Sequence, residues 1–205
     1  MLMLVAGCKS AYYGTWEKLG WAKRDILVDR VEDARDEQEA AKEQFKTTLE
    51  RFQEVTNFDG GDLEAKYKKL SSEYEDCKER AEAVNDEIES VETVANDMFA
   101  EWKEELKQYS NEDLRKSSET KLNDTKARYN ELITVMKDAA SKMQPVLTAF
   151  NDQVLFLKHN LNAQAISSLQ TTAANIQSDV NKLIADMERS IQEANQFIDE
   201  MNKAQ

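Results

Sequence analysis

Apolar residues recur along most of this chain at alternating steps of four and three, the spacing that keeps one face of a helix turned toward a partner. The first run begins near Ala22 and takes Leu27, Val31, Ala34, Gln38, Ala41, Phe45, Thr48, Phe52 and Val55. It stops at Asn57-Phe58-Asp59-Gly60-Gly61, where glycine admits left-handed backbone and a helix ends. Asp62 then has the side chain and the place of an N-cap. The second run follows without a slip: Leu63, Tyr67, Leu70, Tyr74, Cys77, Ala81, Val84, Ile88, Val91, Ala95, Met98 and Trp102. A helix over 62–108 would be about 70 Å long.

A third run starts after Tyr109-Ser110-Asn111-Glu112-Asp113, in which Ser110 and Asp113 have the spacing of a capping box. It carries Leu114, Ser118, Leu122, Thr125, Tyr129, Leu132, Met136, Ala139, Met143, Val146, Phe150, Val154 and Leu157. Pro145 lies inside it. A proline removes one backbone hydrogen bond and crowds the carbonyl four residues back, so the pattern predicts a single helix kinked near Ser141. Val154-Leu155-Phe156-Leu157 is apolar all round, which predicts burial on more than one side. After a turn at Lys158-His159-Asn160-Leu161-Asn162, the last seam takes Ile166, Leu169, Ala173, Ile176, Val180, Leu183, Met187, Ile191, Ala194, Phe197 and Met201.

Four helices of about 35–47 residues joined by loops of about five must lie antiparallel to their neighbours. Apolar positions beside the seams, such as Leu49, Ile133 and Leu147, widen the face beyond that of a two-stranded coil. The expected fold is all-α: a long up-down-up-down four-helix bundle over residues 22–205, with the proline kink in the third helix. In that topology loops 57–62 and 158–163 share one tip. The turn at 109–112, the C-terminus and all three tryptophans (Trp16, Trp21 and Trp102) fall at the other.

Composition agrees with long helices: the 205 residues include one proline and five glycines. The net charge of −13 is uneven, with 18 acidic and 7 basic side chains over 59–113. The simplest reading of that excess is a solvated helix face, and a nucleic-acid partner, which needs a basic footprint, is not expected.

The N-terminus adds an address. Leu4-Val5-Ala6-Gly7-Cys8 reads as a bacterial lipobox, in which small residues flank the cleaved bond and the cysteine thiol takes a diacylglycerol. Residues 1–7 hold no Lys or Arg and are shorter than a working signal, whose apolar core alone runs about 7–15 residues. They read as a truncated signal peptide, followed by a lipidated, aromatic-rich lead over 8–21. By resemblance to lipoproteins of Gram-negative bacteria, Lys9, a non-acidic residue after the cysteine, implies sorting to the inner leaflet of the outer membrane, facing the periplasm. Tyr12, Tyr13 and Trp16 are then placed to rest in the bilayer interface. No later stretch approaches the roughly 18 apolar residues of a membrane span.

Catalytic chemistry is not expected. His159 is the only histidine, so paired Glu-x-x-His motifs, zinc clusters and histidine-based triads cannot be assembled. No phosphate loop occurs, and Cys77 on a seam is expected to be a buried thiol. No metal, cofactor or small-molecule substrate is inferred.

Several stretches together resemble the bacterial family known as domain of unknown function 2959. They are Ser10-Ala11-Tyr12-Tyr13, Lys23-Arg24-Asp25-Ile26-Leu27-Val28-Asp29-Arg30-Val31, Asn57-Phe58-Asp59-Gly60-Gly61 and Tyr109-Ser110-Asn111. Met143-Gln144-Pro145-Val146-Leu147 and the run from Asp152 to Ala163 complete the set. The resemblance implies a helical, lipoprotein-like envelope protein of Gram-negative bacteria, in a family whose members have a longer signal peptide, and it implies no activity. Two of the matched runs are the expected tip loops, so Phe58, Asp59, Lys158, His159 and Asn160 are the candidates for contact with a protein partner. Two functions are compatible with this reading. One is a lipid-anchored rod serving as a structural or interaction module. The other is a helical chaperone or carrier for an apolar client, drawing on Val154–Leu157 and the methionines.

Overall fold

The computed structural model describes residues 23–203, all of it helix and short connections. Helix α1 spans Lys23–Thr56, α2 Leu63–Glu105, α3 Glu112–Ser141, α4 Met143–His159 and α5 Ala163–Lys203. A 3-10 turn at Leu106–Gln108 ends the second helix. Neighbours close a square: α1 packs on α2 and α5, while the α3–α4 column packs on α2 and α5. Every adjacent pair is antiparallel, which gives the expected up-down-up-down bundle.

The seams form the core. All nine seam positions of α1 are buried, including Gln38 and Thr48. On α2, Leu70, Cys77, Ala81, Val84, Ile88, Val91, Ala95 and Met98 are buried, and Leu63, Tyr67, Tyr74 and Trp102 pack half-buried against them. Phe52 of α1 meets Phe150 of α4 edge to face at 6.1 Å, and Phe99 of α2 meets Tyr129 of α3 at 5.4 Å.

Side chains fix the register of α1 on α2. Arg80 bonds Glu37 at 3.0 Å, Gln44 bonds the Glu73 carboxylate at 2.8 Å, and Lys66 reaches the Glu54 carbonyl at 3.3 Å. These pairs close on the loop over 57–62, where both Gly60 and Gly61 adopt positive φ (+144° and +97°), which explains the glycine pair. Asp62 caps α2 as expected, accepting the Ala65 amide at 2.9 Å. The cap of α3 differs from expectation. Asn111, not Ser110, accepts the amides of Asp113 and Leu114 at 2.9 and 3.1 Å. An Asn side chain is as good an N-cap as Ser, and the choice between adjacent candidates depends on where the backbone turns.

The third column is interrupted where Pro145 requires it. The hydrogen-bond ladder breaks at Lys142, whose φ of −84° and ψ of −12° stay right-handed helical, so α3 and α4 form one column. The break is braced from α5. Lys142 Nζ lies 2.8 Å from both Asp138 and Asp186, and Arg189 joins the same two carboxylates at 3.3 and 3.0 Å.

Two expectations of burial fail. Val154 and Leu157 are buried, but Leu155 is 52% and Phe156 40% exposed. Four consecutive residues point in four directions on a helix, and α4 has neighbours on only part of its circumference. Leu114, the first seam residue of the third run, is 58% exposed at the opposite end.

Candidate functional site

The tip carries the sequence-derived candidates and is built from two hairpin ends at different levels. The lower is the α1–α2 loop. Phe58 packs half-buried on the core, with the Lys66 ammonium 5.7 Å from its ring centre, and Asp59 is exposed beyond it. The upper is the α4–α5 turn. Gln170 of α5 donates to the Thr56 carbonyl at the end of α1 at 2.9 Å. Helix α5 starts seven residues before Gln170, so the α4–α5 hairpin overhangs the end of α1 by about 10 Å.

Lys158 and His159, expected in the turn, are the last two residues of α4, both exposed, where cations favourably face the negative helix end. Asn160 closes the helix: its Nδ2 donates to the Phe156 carbonyl at 2.9 Å, and its backbone N–H to the Leu157 carbonyl at 3.1 Å. Asn162 opens α5 by accepting the Ala165 amide at 3.0 Å. The sequence reading missed the apolar exposure of this hairpin: Leu155, Phe156 and, in the turn, Leu161 at 37%. Their spacing gave no such signal, because an apolar run looks the same whether or not a neighbouring helix reaches it.

The structure brings Phe58 and Asp59 to the same end as Lys158, His159 and Asn160, but one level below them. Cys8, Tyr12, Tyr13 and Trp16 lie outside the described residues, as do Trp16's companion Trp21 and the expected signal segment. At the opposite end Trp102 is half-buried and donates to Ser118 Oγ at 2.9 Å, while Tyr109 and Leu114 face solvent.

Elsewhere burial sets the electrostatics. Burial pushes the Cys77 thiol up to about 12, against a hydrogen bond from Thr48 that lowers it. Burial also raises the carboxyls of Asp29 and Glu87, helped by the nearby Asp33 carboxylate. Among the described residues no group of three or more His, Cys, Asp or Glu side chains is placed to hold a metal ion, and no helix is long and apolar enough to cross a membrane.

The described residues thus define an all-α antiparallel four-helix rod with an apolar overhang at one tip. The sequence pattern of the family described as "Protein of unknown function (DUF2959)" matches residues 12–201, and the chain belongs to that family. Comparison with curated proteins and with solved structures found no match to either.

Proposed function

We propose that this chain is a lipid-anchored helical rod of the bacterial envelope that presents its α4–α5 tip to another envelope component. The lipobox around Cys8 supplies the anchor and the periplasmic face of the outer membrane as the location. The observation that carries the reading is the overhang. Leu155, Phe156 and Leu161 stand exposed beside Lys158 and His159 on a hairpin that extends about 10 Å past Thr56, the last residue of α1. Exposed apolar side chains gathered with a few polar groups are what a partner buries, whereas singly scattered ones carry no message. Up-down-up-down connection puts this hairpin at the end remote from Lys23, where α1 begins, about 60 Å away by helix rise.

Photocrosslinking in cells from positions 156 and 161 tests the tip. The account predicts from both positions a discrete product that contains a protein other than a second copy of this chain, and that positions on the mid-bundle surface, such as 89 and 126, do not give. Equal yields from all four would contradict it.

A second reading, a carrier for an apolar client, is favoured by the same exposed side chains. The layer beneath them is packed, with Phe52, Phe150, Leu157 and Leu169 almost wholly buried, so a client would have to bind on the surface or open the bundle. Binding of a hydrophobic dye to the native protein, lost in Leu155→Ser/Phe156→Ser, would support the carrier. Absence of dye binding favours the rod.

A further inference from the structure

Charge is missing from one face of the molecule. The chain carries 40 carboxylates in 205 residues, about one in five, yet between Ala139 and Ser178 the only one is Asp152. The only lysines or arginines there are Lys142 and Lys158. This stretch is α4, the start of α5 and the turn between them.

Two adjoining strips of exposed residues run along it. Pro145, Asp152 and Phe156 share one side of α4, at steps of seven and four. On α5, Ser168, Thr171, Asn175 and Ser178 recur at steps of three, four and three, opposite the buried Ile166, Leu169, Ile176 and Val180. The Thr172 hydroxyl and Gln153, 3.4 Å apart, mark where the two helices meet, so the strips flank one seam.

We infer that this face pairs with the same face of a second copy, making a side-by-side dimer. A chain of net charge −13 repels its own kind over most of its surface, and high net charge keeps proteins monomeric. The α4–α5 face is the place where two copies approach without opposing carboxylates, and charge depletion marks the cores of protein interfaces. Size permits it. Two helices about 25 Å long and together about 20 Å wide offer on the order of 500 Å² of flat footprint per copy, about 1,000 Å² in all, which is the threshold for a specific contact.

Direction follows from the anchor, and this step alone rests on the proposed function: two rods held in one membrane leaflet must be parallel. A two-fold axis along the rods then sets each α4 against the α5 of the second copy, so the lone Asp152 meets uncharged Ser, Thr and Asn side chains and not its own copy.

Sedimentation of the full 205-residue chain carrying Cys8→Ser, which removes any acyl contribution, tests the pairing. The expected result is a dimer. Ser168→Glu/Asn175→Glu, at exposed helical positions that tolerate glutamate, is expected to weaken it at least about tenfold in dissociation constant with unchanged helicity and melting temperature. Phe156→Ser, outside the α5 strip, is expected to weaken it as well. A wild-type chain that stays monomeric up to its solubility limit would overturn the inference, including one that instead floats with lipid vesicles; so would a double variant that dimerises as wild type does. In the dimer, amine cross-linking between differently labelled copies is expected to join Lys158 to Lys158. Links from Lys158 to mid-bundle lysines would overturn the parallel arrangement, while acylation of Cys8 is read separately by mass.

Discussion

Gln38 sits on the α1 seam with both amide atoms buried and without a hydrogen-bond partner in the protein, and Ser190 of α5 is likewise buried with its hydroxyl unpartnered. Polar groups on a seam cost stability and restrict the registers a bundle can adopt. Gln38→Leu is therefore expected to raise the unfolding free energy by roughly 1–2 kcal/mol in urea denaturation; a loss of stability would mean that the amide is satisfied in solution. Phe52→Ala should act in the other direction and harder. Phe52 is fully buried against Phe150, and truncating such a ring costs about 3–5 kcal/mol. Cys77 gives a chemical readout of the same core. With its thiol raised to about 12 by burial, it should resist a maleimide at neutral pH and react only when the bundle unfolds. Rapid labelling of the folded Cys8→Ser chain, in which Cys77 is the one remaining thiol, would place Cys77 at an opening.

At the scale of elements, the α3–α4 junction is the place where covalent structure and packing disagree. Pro145 cannot bond Ser141, and Lys142 compensates by tying the break to α5 through Asp138 and Asp186. The hydrogen bond from Lys142 holds the Asp138 carboxyl below its ordinary 3.8, and Asp138 and then Asp186 raise Lys142 above 10.5. A lowered carboxyl contributes above its unfolded value and loses that contribution as pH falls through the folded one. A raised amine contributes below its unfolded value and loses it as pH rises through the folded one. The brace should therefore hold between about pH 4 and pH 10. Because Asp138 and Lys142 keep much of their side chains in solvent, its effect should be local. Asp138→Asn is expected to raise amide exchange of residues 141–143 severalfold at pH 7, with little change in melting temperature and no difference from wild type at pH 2. An unchanged exchange rate at pH 7 would show that packing alone holds the junction.

The elements themselves were legible because a heptad seam is redundant: a dozen positions must agree before a helix is inferred, and all nine on α1 were buried. End effects were not. Asn111 replaced Ser110 as the cap because a single residue of backbone turn decides between them, and Leu114 lost its burial because its helix begins where the neighbouring column has little to offer it. The same limit applies to the candidate site. Phe58, Asp59, Lys158, His159 and Asn160 fall at the end that loop counting gave them, but the exposure of Leu155 and Phe156 follows from which side of α4 has no neighbour. That depends on where the other helices stand, which no one helix encodes.

For the whole molecule, the apolar pattern gives the rod, and the distribution of charge gives it distinct sides. Carboxylates crowd α2 and its flanks, while α4 and the first half of α5 are almost without them. An overhanging apolar tip and a neutral face lie on the same hairpin, and the proposal that Cys8 anchors the opposite end in a membrane gives the rod its direction. The central claim is this anchoring, and the intact mass of the protein extracted from membranes tests it most directly. The account predicts a chain that starts at Cys8 and carries a lipid-sized mass increase, absent in Cys8→Ser. A soluble chain of unmodified mass that retains Met1 would contradict it.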